Sequence, residues 1–267
     1  MTERRVALVT GAARGIGAAT VDALVQRDYT IIAIDSCASP DREGSAGIAY
    51  DLGTAVQLNE VATKHGDRVI PMIIDVRNPE GLREAAQFAI TEFGRLDAAV
   101  AAAAVIIGGK PLWETPSEHL QTLLDVDVIG VWNTASACVP HMLASSNPSG
   151  CRFVAVASAA GTQGLFRLAA YNAAKHAVIG IVKGLAADLV GTGVTAVAVS
   201  PGSTDTDMLR ATADLYELSD VNDFASSQLI RRLISPSEIA STIAFCCSIE
   251  GAALNGSVVS ATGGFGT

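Results

Sequence analysis

Arg4-Arg-Val-Ala-Leu-Val-Thr10-Gly11-Ala-Ala-Arg14-Gly15-Ile16-Gly17 is the stretch whose reading decides the fold. An apolar run stops at a threonine, glycines follow at 11, 15 and 17, and a helical pattern continues through Arg27. Strand, glycine turn and helix in that order give such a loop its meaning. The glycines let the backbone approach a pyrophosphate, whose charge meets the free N–H groups at the helix start. Alone the loop is weak evidence. The next apolar run, Thr30 to Ile34, ends in Asp35. A carboxylate there accepts hydrogen bonds from both hydroxyls of an adenine-side ribose and repels a 2′-phosphate. NAD is therefore expected over NADP, although Arg14 taken alone argues the other way.

The same alternation continues down the chain. Apolar runs at Val69–Ile74, Asp97–Ala104, Cys151–Ala157, Val194–Val199 and Ser257–Ala261 read as strands. Helical patterns occupy roughly 54–64, 79–93, 117–143, 168–190 and 236–248, with Ser117 a candidate cap. Strands that are apolar throughout and alternate with helices predict a parallel sheet covered on both faces. Right-handed crossovers put the carboxyl ends of those strands along one edge, where open α/β sheets bind ligands. Gly11 to Gly17, Asp35, Asp75, Ala101 to Ala104, Ser158 and Pro201 all fall at such ends. No linker or repeat interrupts residues 1–267, so one domain is expected. Two stretches are irregular: 36–66, either a tolerated surface insertion or a flap over the adenine end, and 203–235, which reads as a substrate lid.

The reacting groups are sought in Ser158 to Lys175. Ser158 closes a buried-strand pattern, and Tyr171 and Lys175 stand four apart in an Ala-rich helical segment, hence on one helix face. An ammonium about 4 Å from a phenol favours the phenolate by roughly 4 kcal/mol at an effective dielectric near 20. That predicts a tyrosine titrating below its ordinary range. The Ser158 hydroxyl then holds the oxygen of a carbonyl or alcohol while Tyr171 exchanges its proton.

Composition excludes several classes. A net charge of −9 argues against nucleic acid and anionic membranes, both of which need clustered Lys and Arg. No apolar run approaches the roughly 20 residues a membrane span requires. Met1-Thr-Glu-Arg-Arg5 runs almost at once into a strand, leaving no room for a signal peptide and pointing to the cytoplasm. The five cysteines are unpatterned, and His65, His119, His141 and His176 lack metal spacing, so neither a disulfide framework nor a metal site is expected. A mean hydropathy of +0.37 fits buried strands plus helix faces used in self-association.

Taken together, Thr10-Gly11-x3-Gly15-x-Gly17, Asp75-Val76, Ser158, Tyr171-x3-Lys175 and Pro201-Gly202-x3-Thr206 resemble the short-chain dehydrogenase/reductase family over the whole chain. The resemblance implies a Rossmann-type, doubly wound seven-stranded parallel sheet with helices on both faces. It implies hydride transfer between a nicotinamide and an alcohol or ketone. Tyr171 would be the acid/base, Ser158 would position the substrate oxygen, and Lys175 would bind the ribose and lower the tyrosine pKa. Gly11, Arg14, Gly15, Ile16 and Gly17 would cradle NAD, with Asp35, Asp75, Val76, Ala102, Ala103, Pro201, Gly202, Thr204 and Thr206 around it. Asp75-Val76 would contact adenine and Thr206 the carboxamide. Family members form tetramers through the two long helices. A narrower similarity, in the insertion after Asp35, Pro111–Thr115, Asp188–Gly191 and Pro201–Thr204, is to the mycofactocin-associated branch. That branch implies non-exchanging NAD, clamped by the insertion and recycled by an external redox carrier.

Two departures from the family pattern stand out. Ala101 to Ala104 replace its Asn-Asn-Ala-Gly, and Asp127 aligns with its fourth catalytic residue, an asparagine. That asparagine acts through a main-chain carbonyl holding a water near the lysine, so the relay is expected to survive with a stronger pull on Lys175. The substrate wall is expected from Trp113, Leu165, Phe166 and the segment Met208 to Leu229, which offers Leu209, Leu215, Tyr216, Leu218, Val221 and Phe224 between acidic and small residues; an apolar lining favours a lipophilic secondary alcohol or ketone. Two rivals stand beside this reading: a reductase using freely exchanging NADH on 3-oxoacyl or steroid substrates, and a non-catalytic NAD-binding sensor.

Overall fold

The computed structural model describes residues 4–39 and 44–266. Seven parallel strands form one sheet in the order β3-β2-β1-β4-β5-β6-β7. They are β1 Arg5–Thr10, β2 Tyr29–Asp35, β3 Val69–Ile73, β4 Ala98–Ala101, β5 Arg152–Val156, β6 Thr195–Pro201 and β7 Val258–Ala261. The central strands are buried on both faces, as their uninterrupted apolar runs require. At the edge, β3 alternates buried and exposed positions and carries Pro71, whose missing N–H is tolerated there. The order reverses between β1 and β4, and the ligand crevice of an open sheet lies at that switch.

Helices cover both faces. On one side α1 (Gly15–Gln26), α2 (Ala55–His65) and α8 (Pro236–Cys246) pack Leu24, Leu58, Ile239 and Ile243 onto the sheet. On the other, α3 (Pro79–Phe93), α5 (Gly130–Leu143) and α6 (Ala169–Asp188) supply Leu82, Val131, Cys138, Val178 and Val182. α7 (Asp207–Leu215) follows β6.

Three expectations are corrected. β4 stops at Ala101, so Ala102 to Ala104 form the loop at the strand's end. The long helix from 117 is not continuous: α4 (Ser117–Leu123) passes into a π-helical turn, Leu124–Ile129, before α5. Ser117 is also not its cap, since Pro116 holds that place with no side-chain bond. A π turn widens the helix by one residue and re-aims its side chains, and such turns cluster at functional sites. Asp127 lies inside this one.

Of the irregular segments, 40–43 lies outside the described residues. Gly44 to Gly53 folds back over the carboxyl edge of the sheet, and 203–235 contains α7 and a 3-10 turn, Val221–Ser227.

Candidate active site

The site starts where β1 ends. Thr10 Oγ1 accepts the N–H groups of Ala102 (3.1 Å) and Ala103 (3.2 Å), tying the glycine turn to the end of β4. Gly11 sits at φ +68, and a Cβ on it would lie 2.8 Å from Ala103 Cα and N. A Cβ on Gly17 would strike the carbonyl oxygen of Gly11. Only glycine lets the turn adopt this shape and keep its backbone open to a ligand. The alanines at 102 and 103 give the close backbone approach that their size suggests.

A cleft of about 630 Å³ runs from this turn along the carboxyl ends of the strands. Gly11, Arg14, Gly15, Ile16, Gly17, Asp35, Asp75, Val76, Ala102, Ala103, Pro201, Gly202, Thr204 and Thr206 all line it, as do Ser158, Tyr171 and Lys175. Asp35 is fixed by N–H donors from Ala13 (3.0 Å) and Cys37 (3.1 Å). Thr206 caps α7 by accepting the Leu209 N–H. The glycine cradle, the carboxylate at the end of β2 and this length of cleft fit a dinucleotide with an unmodified ribose.

Arg14, left open by the sequence, is engaged elsewhere. Its guanidinium reaches Asp207 at 3.2 Å and lies over the ring of Tyr50, 5.7 Å from the centroid. The insertion is likewise no loose surface loop. Ser36, Ala38, Ser45, Ile48, Leu52 and Gly53 line the cleft. Arg77, paired with Asp75 at 2.9 Å, donates to the Gly44 carbonyl at 2.7 Å, and the Ile106 N–H donates to the Tyr50 hydroxyl at 3.1 Å. The flap therefore reaches beyond the adenine end to the middle of the cleft. Sequence reasoning passed over Arg77, whose only local sign was its position two residues after Asp75.

Across the cleft, Tyr171 and Lys175 share one face of α6, the Lys175 Nζ 5.5 Å from the Tyr171 ring centroid. The Ser158 Oγ accepts the Ala160 N–H at 3.1 Å, so that its own proton is directed at the Tyr171 phenol. Behind them the π turn brings in Asp127, fully buried at 0% exposure. Its Oδ2 lies 3.1 Å from Lys175 Nζ, and its Oδ1 accepts the Val105 N–H at 2.9 Å. The side chain itself thus meets the lysine, where the sequence expected a main-chain carbonyl.

Burial, with Asp127 adding to it, overturns the expectation of a lowered tyrosine pKa. Burial raises the Tyr171 phenol, the Lys175 ammonium and a hydrogen bond from Ser158 pull it down, and the Asp127 carboxylate pushes it up again. The net direction is upward. Burial opposes the charge on Lys175, yet Asp127 and Tyr171 hold the ammonium above its ordinary value. Burial likewise raises the Asp127 carboxyl against the pull of Lys175 and the Val105 N–H. Burial first, and then the Asp127 carboxylate behind the lysine, outweigh the ammonium, which is why the phenol is not activated as the Tyr-Lys spacing alone suggests.

The substrate end is apolar but differently built than expected. Leu165, Phe166, Met208, Leu209, Tyr216, Leu218 and Phe224 line it; Trp113 is 81% exposed on its own short 3-10 turn and takes no part. Val221 and Leu229 are also absent from the lining, and Leu215 packs instead against Gly109. Phe265, beyond β7, joins the wall with no sequence signal to announce it. Among the described residues, no group of three His, Cys, Asp or Glu side chains is placed to hold a metal.

An open, doubly wound sheet with a dinucleotide cleft at its switch point and Ser, Tyr and Lys on the facing wall defines the class of nicotinamide-dependent oxidoreductases. Residues 11–266 match the family described as enoyl-(acyl carrier protein) reductase. An uncharacterized NAD-dependent oxidoreductase of Mycobacterium tuberculosis is 31% identical over 263 residues, covering 96% of this chain and 93% of its own. The (-)-trans-carveol dehydrogenase of Rhodococcus erythropolis is 33% identical over 211 residues, covering 78% and 74%. Among solved structures, carveol dehydrogenase from Mycobacterium avium in complex with NAD superimposes with a TM-score of 0.89 at 30% identity, covering 97% of this chain and 96% of that one. The chain belongs to the short-chain dehydrogenase/reductase family, as an NAD-dependent alcohol dehydrogenase or ketone reductase.

Proposed function

We propose that the protein interconverts a lipophilic secondary alcohol and its ketone, with Ser158, Tyr171 and Lys175 as the groups at the reacting atoms. The observation that carries this reading is the meeting of all three with the glycine turn in one cleft whose far end is apolar. NAD, when bound, supplies the hydride acceptor. In oxidation the Ser158 hydroxyl donates to the substrate oxygen, and Tyr171 takes the alcohol proton as the hydride leaves carbon with the bonding pair. Before the transfer Lys175 steadies the Tyr171 phenolate, which the alcohol proton converts to the neutral phenol, and Asp127 holds Lys175 in place.

The reading extends to how NAD is kept. The flap, fastened by Arg77 and Tyr50, would hold it so that it does not exchange and is renewed in place by an external redox carrier, as in the mycofactocin-associated branch. Self-association through the α4–α5 and α6 faces, giving a cytoplasmic tetramer, belongs to the same proposal. Prolonged dialysis followed by single-turnover mixing with a panel of secondary alcohols tests it. NAD retained after dialysis, and reduced once per site at 340 nm by at least one alcohol, is the expected result. Freely lost cofactor would favour an exchanging reductase. Reduction undiminished in Tyr171→Phe would remove the assigned chemistry.

A further inference from the structure

A charge inventory of the cleft leaves one side chain over. Arg14 faces Asp207, Arg77 holds Asp75, Lys175 holds Asp127, and Asp35 takes two backbone N–H groups. Arg167 is the remaining charged residue of the lining. Among the described residues its guanidinium has no carboxylate and no hydrogen-bond acceptor. It lies instead over the Phe166 ring, 5.0 Å from the centroid, a contact that orients the group while using none of its five N–H donors.

The backbone beneath it is held in an uncommon shape. Arg167 has φ +51, a left-handed conformation that disfavours any residue with a Cβ. Its carbonyl accepts the Gly109 N–H at 3.0 Å, and the next residue, Leu168, is buried in the cluster around Tyr171. The strained residue thus stands between an exposed aromatic and a core anchor, four positions before Tyr171, and backbone strain of this kind collects at ligand-contacting sites. The other polar groups nearby are already occupied. Tyr216 donates its hydroxyl proton to the Phe166 carbonyl (2.6 Å), Ser227 to Phe224 (2.7 Å), and Thr212 to Met208 (2.7 Å). An apolar chamber therefore offers two polar points: Ser158 with Tyr171 at one end and a free guanidinium at the mouth.

We propose that Arg167 is the specificity-determining residue for substrates that join an apolar body to a carboxylate: hydroxy or keto acids whose reacting carbon is separated from the acid group by a hydrocarbon spacer. A carboxylate matches the guanidinium fork with two parallel hydrogen bonds, and among the described residues Arg167 is the only unmatched cation on the wall. This rests on the dehydrogenase reading above.

The test uses the full chain loaded with NAD and single-turnover absorbance at 340 nm. A panel of ring-hydroxylated cycloalkane carboxylic acids is compared with the corresponding methyl esters. The rate constant for each acid is expected to exceed that of its ester at least tenfold at low salt, the margin narrowing as salt is added. In Arg167→Met that ratio falls toward one, and Arg167→Lys keeps part of it. A ratio of one or less in the unsubstituted protein, or a ratio that survives Arg167→Met, overturns the proposal. So does a large loss of NAD affinity in Arg167→Met with the ratio untouched, which would assign the guanidinium to the cofactor. Failure of every alcohol, acid and ester alike, to reduce NAD would sink the dehydrogenase reading instead.

Discussion

Asp127 shows most plainly what one side chain changes. In the proposed reaction Tyr171 must be ionised to accept the proton of an alcohol and protonated to give one to a ketone. Its pKa is raised, first by burial, with Asp127 adding to that against Lys175. Ketone reduction should therefore hold level through neutral pH, and alcohol oxidation should climb toward alkaline pH. Replacing Asp127 by Asn removes the anion and leaves Lys175 to act on the phenol alone, so the rising limb of oxidation should move to lower pH. A pH profile of single-turnover rates reads this directly, and a limb that stays put or moves up would refute it. Asp127→Ala strands a buried ammonium and should lower stability by about 3–5 kcal/mol in denaturant titrations, well beyond the loss in Asp127→Asn. The Tyr-Lys spacing is visible in the chain because both residues sit on one helix. Their carboxylate partner is 48 positions from Lys175, in a π turn that leaves no periodic mark.

Among the elements, the β1–α1 turn and the flap carry the cofactor argument. Gly11→Ala combines a left-handed φ with a Cβ pressed on the backbone of Ala103, which cannot swing aside as a side chain would. We expect a loss of at least about 1–2 kcal/mol in unfolding free energy together with weaker NAD binding measured by fluorescence quenching. The flap is fastened from outside its own sequence, by Arg77 to the Gly44 carbonyl and by the Ile106 N–H to Tyr50. Arg77→Ala should release NADH at least tenfold faster in stopped-flow fluorescence, with little change in thermal stability. An unchanged release rate would show that the flap needs no such tether. The order of strands and helices was legible from apolar runs and turn residues. Whether 44–53 lay on the surface or over the cleft was not, because its few apolar side chains, Ile48, Tyr50 and Leu52, have no helical or strand period.

At the scale of the molecule, the surface keeps apolar groups that one chain leaves uncovered. Ile129, Trp132 and Leu143 stay largely exposed along the π turn and α5. The outward face of α6 is flat, with Ala173, Gly180, Gly184 and Ala187 spaced for close helix contact. If the proposed tetramer uses this face, Trp132→Glu should give smaller species than the unsubstituted protein by light scattering while each chain still binds NAD; an unchanged mass would refute that use of the face. By themselves, the residues determined the alternating parallel fold, the glycine cradle, the preference for NAD and the Ser-Tyr-Lys set. Each of these is written in spacing along a single strand, turn or helix, where local geometry repeats. Only the tertiary structure decided that Asp127 pairs with Lys175, that Phe265 joins the substrate wall while Trp113 does not, and that Arg167 has no counter-charge among the described residues. Those outcomes depend on which distant side chains arrive at the same place, and burial and charge pairing across the fold set them.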